Sequence, residues 1–101
     1  MTEKIKIDLE NIIQNNKKVL IDFFAPWCPP CVKLMTILDQ LEISRPDVKL
    51  VKINFDLYKD LVSQNNVKKL PTLILYKEGK KIDEKIGFCS FEDLLSFVDQ
   101  K

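Results

Sequence analysis

Residues 27 to 31 read WCPPC, in which Cys28 and Cys31 enclose two prolines. Two thiols three positions apart at the start of a helix are close enough to form a small disulfide loop. The positive end of the helix stabilises a thiolate, which can attack a disulfide sulfur, and a second thiol can resolve the mixed disulfide that results. The pair therefore predicts thiol-disulfide exchange in which Cys28 attacks and Cys31 resolves.

The main alternative for the cysteine pair is half of a zinc or iron-sulfur site. Such sites usually need four protein ligands, and the chain offers only Cys89 in addition and no histidine. The same lack of histidine removes Cys-His nucleophilic sites and imidazole acid-base chemistry. We therefore expect no metal site, and chemistry that is carried out by thiols, carboxylates and amines.

The composition indicates one compact domain over residues 1–101, because 46% of the chain is hydrophobic. A formal charge of +1, without a basic run interleaved with aromatics, argues against nucleic acid as a partner. The amino terminus lacks the apolar core of a signal peptide, and no stretch approaches the ~18 apolar residues of a membrane helix. We expect a cytoplasmic protein with no membrane partner, where cysteine pairs tend to form transient, catalytic disulfides.

Strand and helix patterns alternate along the first half of the sequence. KIKI at 4–7 alternates like a short strand, and Asp8 can cap a helix that follows it. KKVLIDFFA is almost continuously apolar, as expected of a strand that is buried on both faces. From Cys28 onward apolar residues recur at helical spacing until SRPD ends the helix: Cys31, Leu34, Met35, Leu38 and Leu41.

The second half of the chain continues this alternation. VKLVKINF reads as another central strand, after which Asp56 can cap a short helix. TLILY and KIDEKIG predict an antiparallel hairpin with Gly79 in its turn, and Ser90 with Asp93 makes a capping box for a last helix. The predicted order is βαβαβαββα, in which strands joined through helices run parallel and the final pair runs antiparallel. This is an α/β fold with helices on both faces of a central mixed sheet.

VLIDFFAPWCPPC, VKINFD, LPTLILYKEGK and KIGF resemble the thioredoxin family in order and spacing, over nearly the whole chain. The resemblance implies the thioredoxin fold and a thiol-disulfide oxidoreductase that reduces protein disulfides. It also implies disulfide-containing client proteins and a thioredoxin reductase-type electron donor, with no bound cofactor. We expect the protein to act as a monomeric electron carrier in cell redox homeostasis.

Asp22 is a carboxylate inside the apolar stretch VLIDFF. Burial disfavours ionisation, so the pKa of Asp22 should be raised. The resemblance implies that Asp22 is the buried acid-base group that serves Cys31 through water, with Lys52 on the next central strand as its charge partner. The alternatives are an Asp22 side chain that reaches solvent at a strand end and a Lys52 side chain that is simply solvated.

The resemblance also implies a client-docking surface around Cys28. The sequence alone favours a trans bond before Pro71, because cis occurs in only ~5% of such bonds. The family implies a cis bond there, with the proline facing the thiols and Leu70 offering backbone groups to an extended client. Phe88 fits either this surface or the core. The residues expected around Cys28 are Trp27, Pro29, Pro30, Leu70, Gly87 and Phe88.

Pro29 stands where thioredoxins usually have glycine. With proline at both intervening positions two amide donors are lost, which leaves the Cys31 N–H as the nearest local donor to the Cys28 thiolate. A higher pKa of Cys28 and a stiffer reduced loop both favour the disulfide, which predicts a reductant and not an oxidant. Thr36 replaces a proline that is common in the family, which predicts a straighter helix.

Cys89 lies outside the usual active site. It is either a small buried hydrophobe or an exposed thiol open to dimerisation or glutathionylation. Two other functions are open at this point: a dedicated reductant with a single client, and a non-catalytic binding module that keeps the fold. The presence of both active-site cysteines and Asp22 argues against the binding module.

Overall fold

A computed structural model describes residues 5–101. Among these residues, four strands form one mixed sheet in the order β2-β1-β3-β4. β1 and β2 are parallel, β3 is antiparallel to β1, and β4 is antiparallel to β3. The strands are β1 (Lys18–Phe24), β2 (Lys49–Asn54), β3 (Thr72–Lys77) and β4 (Lys80–Ile86).

Two helices of the described chain begin at the caps that the sequence predicts. The Asp8 side chain accepts the Asn11 N–H at 3.1 Å, and the Ser90 side chain accepts the Asp93 N–H at 3.1 Å. Each bond satisfies an amide donor that a helix start leaves unpaired. No helix of residues 5–101 has the length and apolar character needed to span a bilayer. The helices are α1 (Leu9–Asn15), α2 (Pro29–Ser44), α3 (Lys59–Gln64) and α4 (Phe91–Val98).

Alternation of side chains along β1 divides the core between the two faces of the sheet. Val19, Ile21 and Phe23 pack with residues of α1 and α3 on one face, whereas Leu20 packs with residues of α2 and α4 on the other. The strand is therefore buried on both faces, as its continuous apolar sequence predicts. The α/β fold class, with helices on both faces of a mixed sheet, is confirmed.

The strand predicted over residues 4–7 is not found in residues 5–7, which have no regular secondary structure, and Lys4 lies outside the described residues. The carbonyl of Ile5 accepts a hydrogen bond from the Tyr58 hydroxyl. Ile7 packs against the α1-side core cluster. Side-chain contacts, and not strand pairing, therefore fix this segment.

β3 runs in the direction opposite to the one predicted. It follows a helix and was expected to lie parallel to its neighbours, but Thr72 pairs with Phe23 in an antiparallel register. The connection from β2 to β3 contains one short helix, the six-residue α3, which is about 9 Å long, and the chain does not return along the sheet before β3 begins. β3 therefore starts at the end of the sheet where β1 and β2 finish, and the residues just before it come close to the start of α2.

Asp56 does not cap α3, contrary to the prediction. The N-cap position is Tyr58, which makes no side-chain capping bond. Instead, Asn54 Oδ1 accepts the N–H groups of Asp56 at 2.9 Å and of Leu57 at 3.3 Å. The side chain at the end of β2 thus shapes this turn, and the Asp56 carboxylate bonds to a different segment.

The hairpin between β3 and β4 has the predicted glycine in its turn. Glu78 and Gly79 both have positive φ, 54° and 79°. Two successive residues of this kind match a type I′ turn, whose twist suits antiparallel strands. The turn thereby sets the register that carries β4 back to Ile86, next to the active-site end of the sheet.

Candidate active site

The cysteine pair lies where the loop after β1 enters α2. Cys28 is the N-cap of α2, and its N–H donates to the carbonyl of Ala25 at 3.1 Å. Pro29 and Pro30 occupy the first helical positions, where no helical hydrogen bond needs their N–H. Cys28 and Cys31 are joined by a disulfide, with their Cα atoms 5.2 Å apart. The local sequence thus brings both sulfurs into the first turn of one helix.

The two cysteines are both buried, but not to the same degree. Cys28 is 5% exposed, whereas Cys31 is fully buried at 0%. The Cys31 N–H donates to Cys28 Sγ at 3.3 Å, which confirms it as a local donor to this sulfur. This donor and the positive end of α2 both stabilise negative charge on Cys28. Cys28 is therefore the more exposed of the two cysteines, and the one whose negative charge the first turn of α2 can stabilise.

Asp22 is fully buried in β1, on the same face as Leu20, which is the face that α2 covers. Neither carboxylate oxygen has a hydrogen-bond partner in the described part of the chain. Burial raises the pKa of Asp22 to about 7, and the positive charge of Lys52 partly opposes that rise. The predicted rise in pKa agrees with this environment, and the alternative of a solvated strand end is wrong.

Lys52 lies directly opposite Asp22 in the parallel pair of β1 and β2. Its side chain is 31% exposed, and Nζ lies 3.4 Å from Oδ1 of Asp39 on α2. The charge of Lys52 therefore acts on Asp22 without a hydrogen bond between them, while its ion pair is with an exposed carboxylate.

The segment that precedes β3 meets the cysteine pair. The Leu70–Pro71 peptide bond is cis, as the resemblance implied. Leu70 packs against the small core cluster that contains both cysteines and Ala25, and the carbonyl of the buried Pro71 accepts the N–H of Gly87 at 2.8 Å. Gly87 has a φ of 94°, in the region that favours glycine. Leu70 therefore connects this segment to the cysteine cluster, and the bond from Gly87 to Pro71 connects the segment to the end of β4.

The family profile described as Thioredoxin matches residues 2–100. The chain belongs to the thioredoxin family. It is 34% identical over 89 residues to the thioredoxin of Mycoplasmoides gallisepticum, covering 88% of this chain and 89% of that one. It is 40% identical over 82 residues to the thioredoxin of Chlamydia caviae, covering 81% and 80%. Mitochondrial thioredoxin 3 from Saccharomyces cerevisiae, in its oxidised form, superposes with a TM-score of 0.84 at 34% identity, covering 90% of this chain and 85% of that one.

Two findings establish the activity: the chain belongs to the thioredoxin family, and its cysteine pair forms a disulfide. The protein is a thiol-disulfide oxidoreductase that reduces protein disulfides by exchange at Cys28 and Cys31. Thioredoxins act on disulfide-containing clients and are themselves reduced by thioredoxin reductase.

Exposed apolar side chains lie on both segments that meet at the thioredoxin disulfide. Trp27 is 65% exposed on one of them, and Pro29 and Pro30 beside it are also exposed. Phe88 is 50% exposed on the other, directly after Gly87. The core alternative for Phe88 is therefore wrong. Of the predicted docking residues, Trp27, Pro29, Pro30 and Phe88 are exposed, Leu70 and Gly87 are half-buried, and Pro71 is buried.

Asp56 is the residue of the thioredoxin site that sequence reasoning missed. Its Oδ2 accepts the Trp27 Nε1–H at 2.7 Å, which ties the WCPPC loop to the loop after β2. An asparagine at a strand end with an aspartate two residues later is a recognisable turn pattern, and Asn54 does hold this turn. No local signal in the sequence pairs Asp56 with an indole that is 29 positions away.

Cys89 and Thr36, the two residues at which this sequence differs from the usual thioredoxin pattern outside the WCPPC loop, lie away from the disulfide along the chain. Cys89 is 4% exposed and packs in the core between α2 and α4, where burial raises the pKa of its thiol. The interpretation as a small buried hydrophobe is therefore right, and the exposed thiol is wrong. α2 continues without a break from Pro29 to Ser44 through the exposed Thr36.

Proposed function

We propose that Cys28 attacks the client disulfide and that Cys31 completes the reduction. The Cys28 thiolate bonds to one client sulfur while the client S–S bond breaks, and the departing sulfur takes up a proton. Cys31 then loses its proton and attacks the Cys28 sulfur, so that the second client sulfur leaves and is protonated. Two electrons pass to the client, and the protein is left with the Cys28–Cys31 disulfide.

The observation that carries this assignment is that Cys31 is fully buried inside α2, whereas Cys28 is slightly exposed at the N-cap of the helix. A buried resolving thiol needs a proton acceptor inside the protein. Asp22 suits that role because it is buried on the face covered by α2 and has a pKa of about 7. Lys52, directly opposite Asp22, provides positive charge when the carboxyl ionises. We assign Asp22 as the acid-base group and Lys52 as its counter-charge.

Clients dock, in this proposal, as extended segments across the apolar surface beside Cys28. Support comes from the exposed Trp27 and Phe88 and from the packing of Leu70 against the core cluster that contains both cysteines. An apolar surface with free backbone groups can bind unfolded or locally exposed peptide of many sequences. The docking residues are Trp27, Pro29, Pro30, Leu70, Pro71, Gly87 and Phe88.

A separate thioredoxin reductase-type donor returns two electrons to the disulfide in this proposal, and the exchange needs no cofactor bound to the protein. We further propose a monomer of one domain, over residues 1–101, that works in the cytoplasm. The composition and the low cysteine count support these assignments.

Replacement of Cys31 by serine should trap the client on Cys28. The first attack does not need Cys31, whereas release of the client does, so a mixed disulfide should accumulate to nearly one equivalent. A denaturing gel without reductant, followed by mass spectrometry of the adduct, measures it. The matched control is a variant with both Cys28→Ser and Cys31→Ser, which should form no adduct. Normal client release from Cys31→Ser would remove the resolving role from this residue.

Replacement of Pro29 by glycine should make the disulfide easier to reduce. Glycine restores an amide donor and makes the reduced loop more flexible. The free-energy change expected from such a replacement corresponds to a reduction potential that is higher by about 10–20 mV. Equilibration with glutathione or dithiothreitol buffers in a Cys89→Ser background measures the change. Pro46→Gly, at an exposed proline in another loop, should leave the potential unchanged. An unchanged or lower potential for Pro29→Gly would contradict the argument from the two prolines.

A further inference from the structure

Lys52 lies between two carboxylates of unequal exposure. Asp39, on α2, is 63% exposed in its side chain, and its Oδ1 is 3.4 Å from Lys52 Nζ. Asp22, directly across the strand pair, is fully buried and has no hydrogen-bond partner in the described residues. The Lys52 ammonium is thus paired with the exposed Asp39, although the buried Asp22 has the greater need of a positive charge beside it.

This placement follows from the energetics of the lysine side chain. A lysine ammonium is compact and strongly hydrated, so it prefers a position at the surface where its hydration is kept. Asp39 offers a partner in that position and Asp22 does not, since contact with Asp22 requires the ammonium to lose water. The exposed carboxylate therefore holds the long side chain of Lys52 in its outward conformation.

We propose that Asp39 is a positioning residue of this site. It draws the Lys52 ammonium toward solvent, so that the positive charge of Lys52 stabilises the carboxylate of the buried Asp22 only in part. The inference rests on the acid-base role proposed for Asp22. Asp39 acts through Lys52, and it sets the pH at which Asp22 can accept the proton of Cys31.

Three elements next to Asp22 carry titratable or charged side chains that bear on the proposal. Lys52 lies on β2, and Cys31 and Asp39 lie on α2. Lys85 lies on β4 in the same cross-strand row, with Leu73 of β3 between it and Asp22. Lys85 is thus separated from Asp22 by an apolar residue, whereas Lys52 is adjacent. Removal of the Asp39 charge affects Asp22 mainly by releasing Lys52.

The proposal predicts that Asp39→Asn lowers the pH at which Asp22 ionises. Lys52 then turns toward Asp22 and stabilises its carboxylate, and the change expected from a partly exposed ion pair is about a threefold fall in proton affinity. The midpoint falls by about half a pH unit, which is measured from the ¹³C shift of the Asp22 carboxyl carbon between pH 4 and 10. Glu42→Gln removes the same charge one turn further along α2 and should shift the midpoint much less.

The same substitution in a Lys52→Gln variant shows whether Asp39 affects Asp22 through Lys52 or by direct charge repulsion. Lys52→Gln alone should raise the midpoint of Asp22, and in that background Asp39→Asn should have little further effect. An unchanged midpoint in Asp39→Asn, or the same fall with and without Lys52, would overturn the proposal. These titrations measure the protonation of Asp22 and not catalytic activity. They can therefore contradict the role of Asp39 while the exchange mechanism, which the Cys31→Ser adduct tests, still holds.

Discussion

Replacement of Cys28 by serine should abolish the reduction of protein disulfides, with a fall in rate of about a thousandfold or more. A serine hydroxyl does not ionise near neutral pH, so no nucleophile remains to begin the exchange. Cys31 cannot substitute for Cys28, because it is fully buried in the first turn of α2. The rate is measured with insulin and with at least two unrelated disulfide proteins, with dithiothreitol as the electron source.

This loss should not arise from unfolding. Cys28 is the N-cap of α2, and its sulfur accepts the Cys31 N–H. Serine is a good N-cap residue, so the variant should keep the stability of the reduced protein. Cys89→Ser, the matched thiol replacement away from the site, should keep nearly all activity. A Cys28→Ser rate well above about a thousandth of the wild-type rate would contradict the mechanism. Wild-type activity on a single substrate only would favour a dedicated reductant.

Asp22→Asn should stabilise the oxidised protein at pH 8.5 by up to about 4 kcal/mol, and much less at pH 4. The pKa of Asp22 is about 7 in the folded protein against an ordinary 3.8, and this difference corresponds to about 4 kcal/mol. The folded state therefore binds the proton more tightly than the unfolded state. At pH 4 the protonated Asp22 lowers the free energy of unfolding only slightly. The stability of the native protein then falls as the pH rises from about 4 to 7. Asparagine removes that dependence.

Urea unfolding at the two pH values measures this effect. The difference between them isolates the charge of Asp22, because any packing change caused by the amide is common to both. Glu42→Gln removes one negative charge from an exposed position on α2 and should not reproduce the effect. Equal stabilisation at pH 4 and pH 8.5 would mean that Asp22 does not ionise in this range. The same variant should also resolve mixed disulfides more slowly, since it lacks a proton acceptor for Cys31.

Local patterns in the sequence account for much of the fold and of the site. A charged residue within VLIDFF could only be buried or at a strand end, and the continuous apolar sequence favoured burial for Asp22. The capping side chains of Asp8 and Ser90 and the turn at Gly79 were likewise predicted, because each bond involved is made within a few residues.

Features that depend on distant parts of the chain were not predictable in this way. The direction of β3 depends on the path of the whole connection after β2, which the rule for strands joined through helices does not describe. The bond from Trp27 to Asp56 and the ion pair from Lys52 to Asp39 join different elements, and no local pattern in the sequence pairs residues that lie so far apart along the chain. The cis bond before Pro71 was inferred from the family resemblance, against the general preference of such bonds.

Trp27 is the only tryptophan of the chain, and it directly precedes a cysteine of the disulfide. Its indole is also fixed by the bond to Asp56, so its distance from the sulfurs is well defined. Because a disulfide quenches the emission of a nearby indole, the intrinsic fluorescence should follow the oxidation state of this one site. The molecule thus contains its own optical probe, and its reduction by a donor and oxidation by a client can be timed without any label.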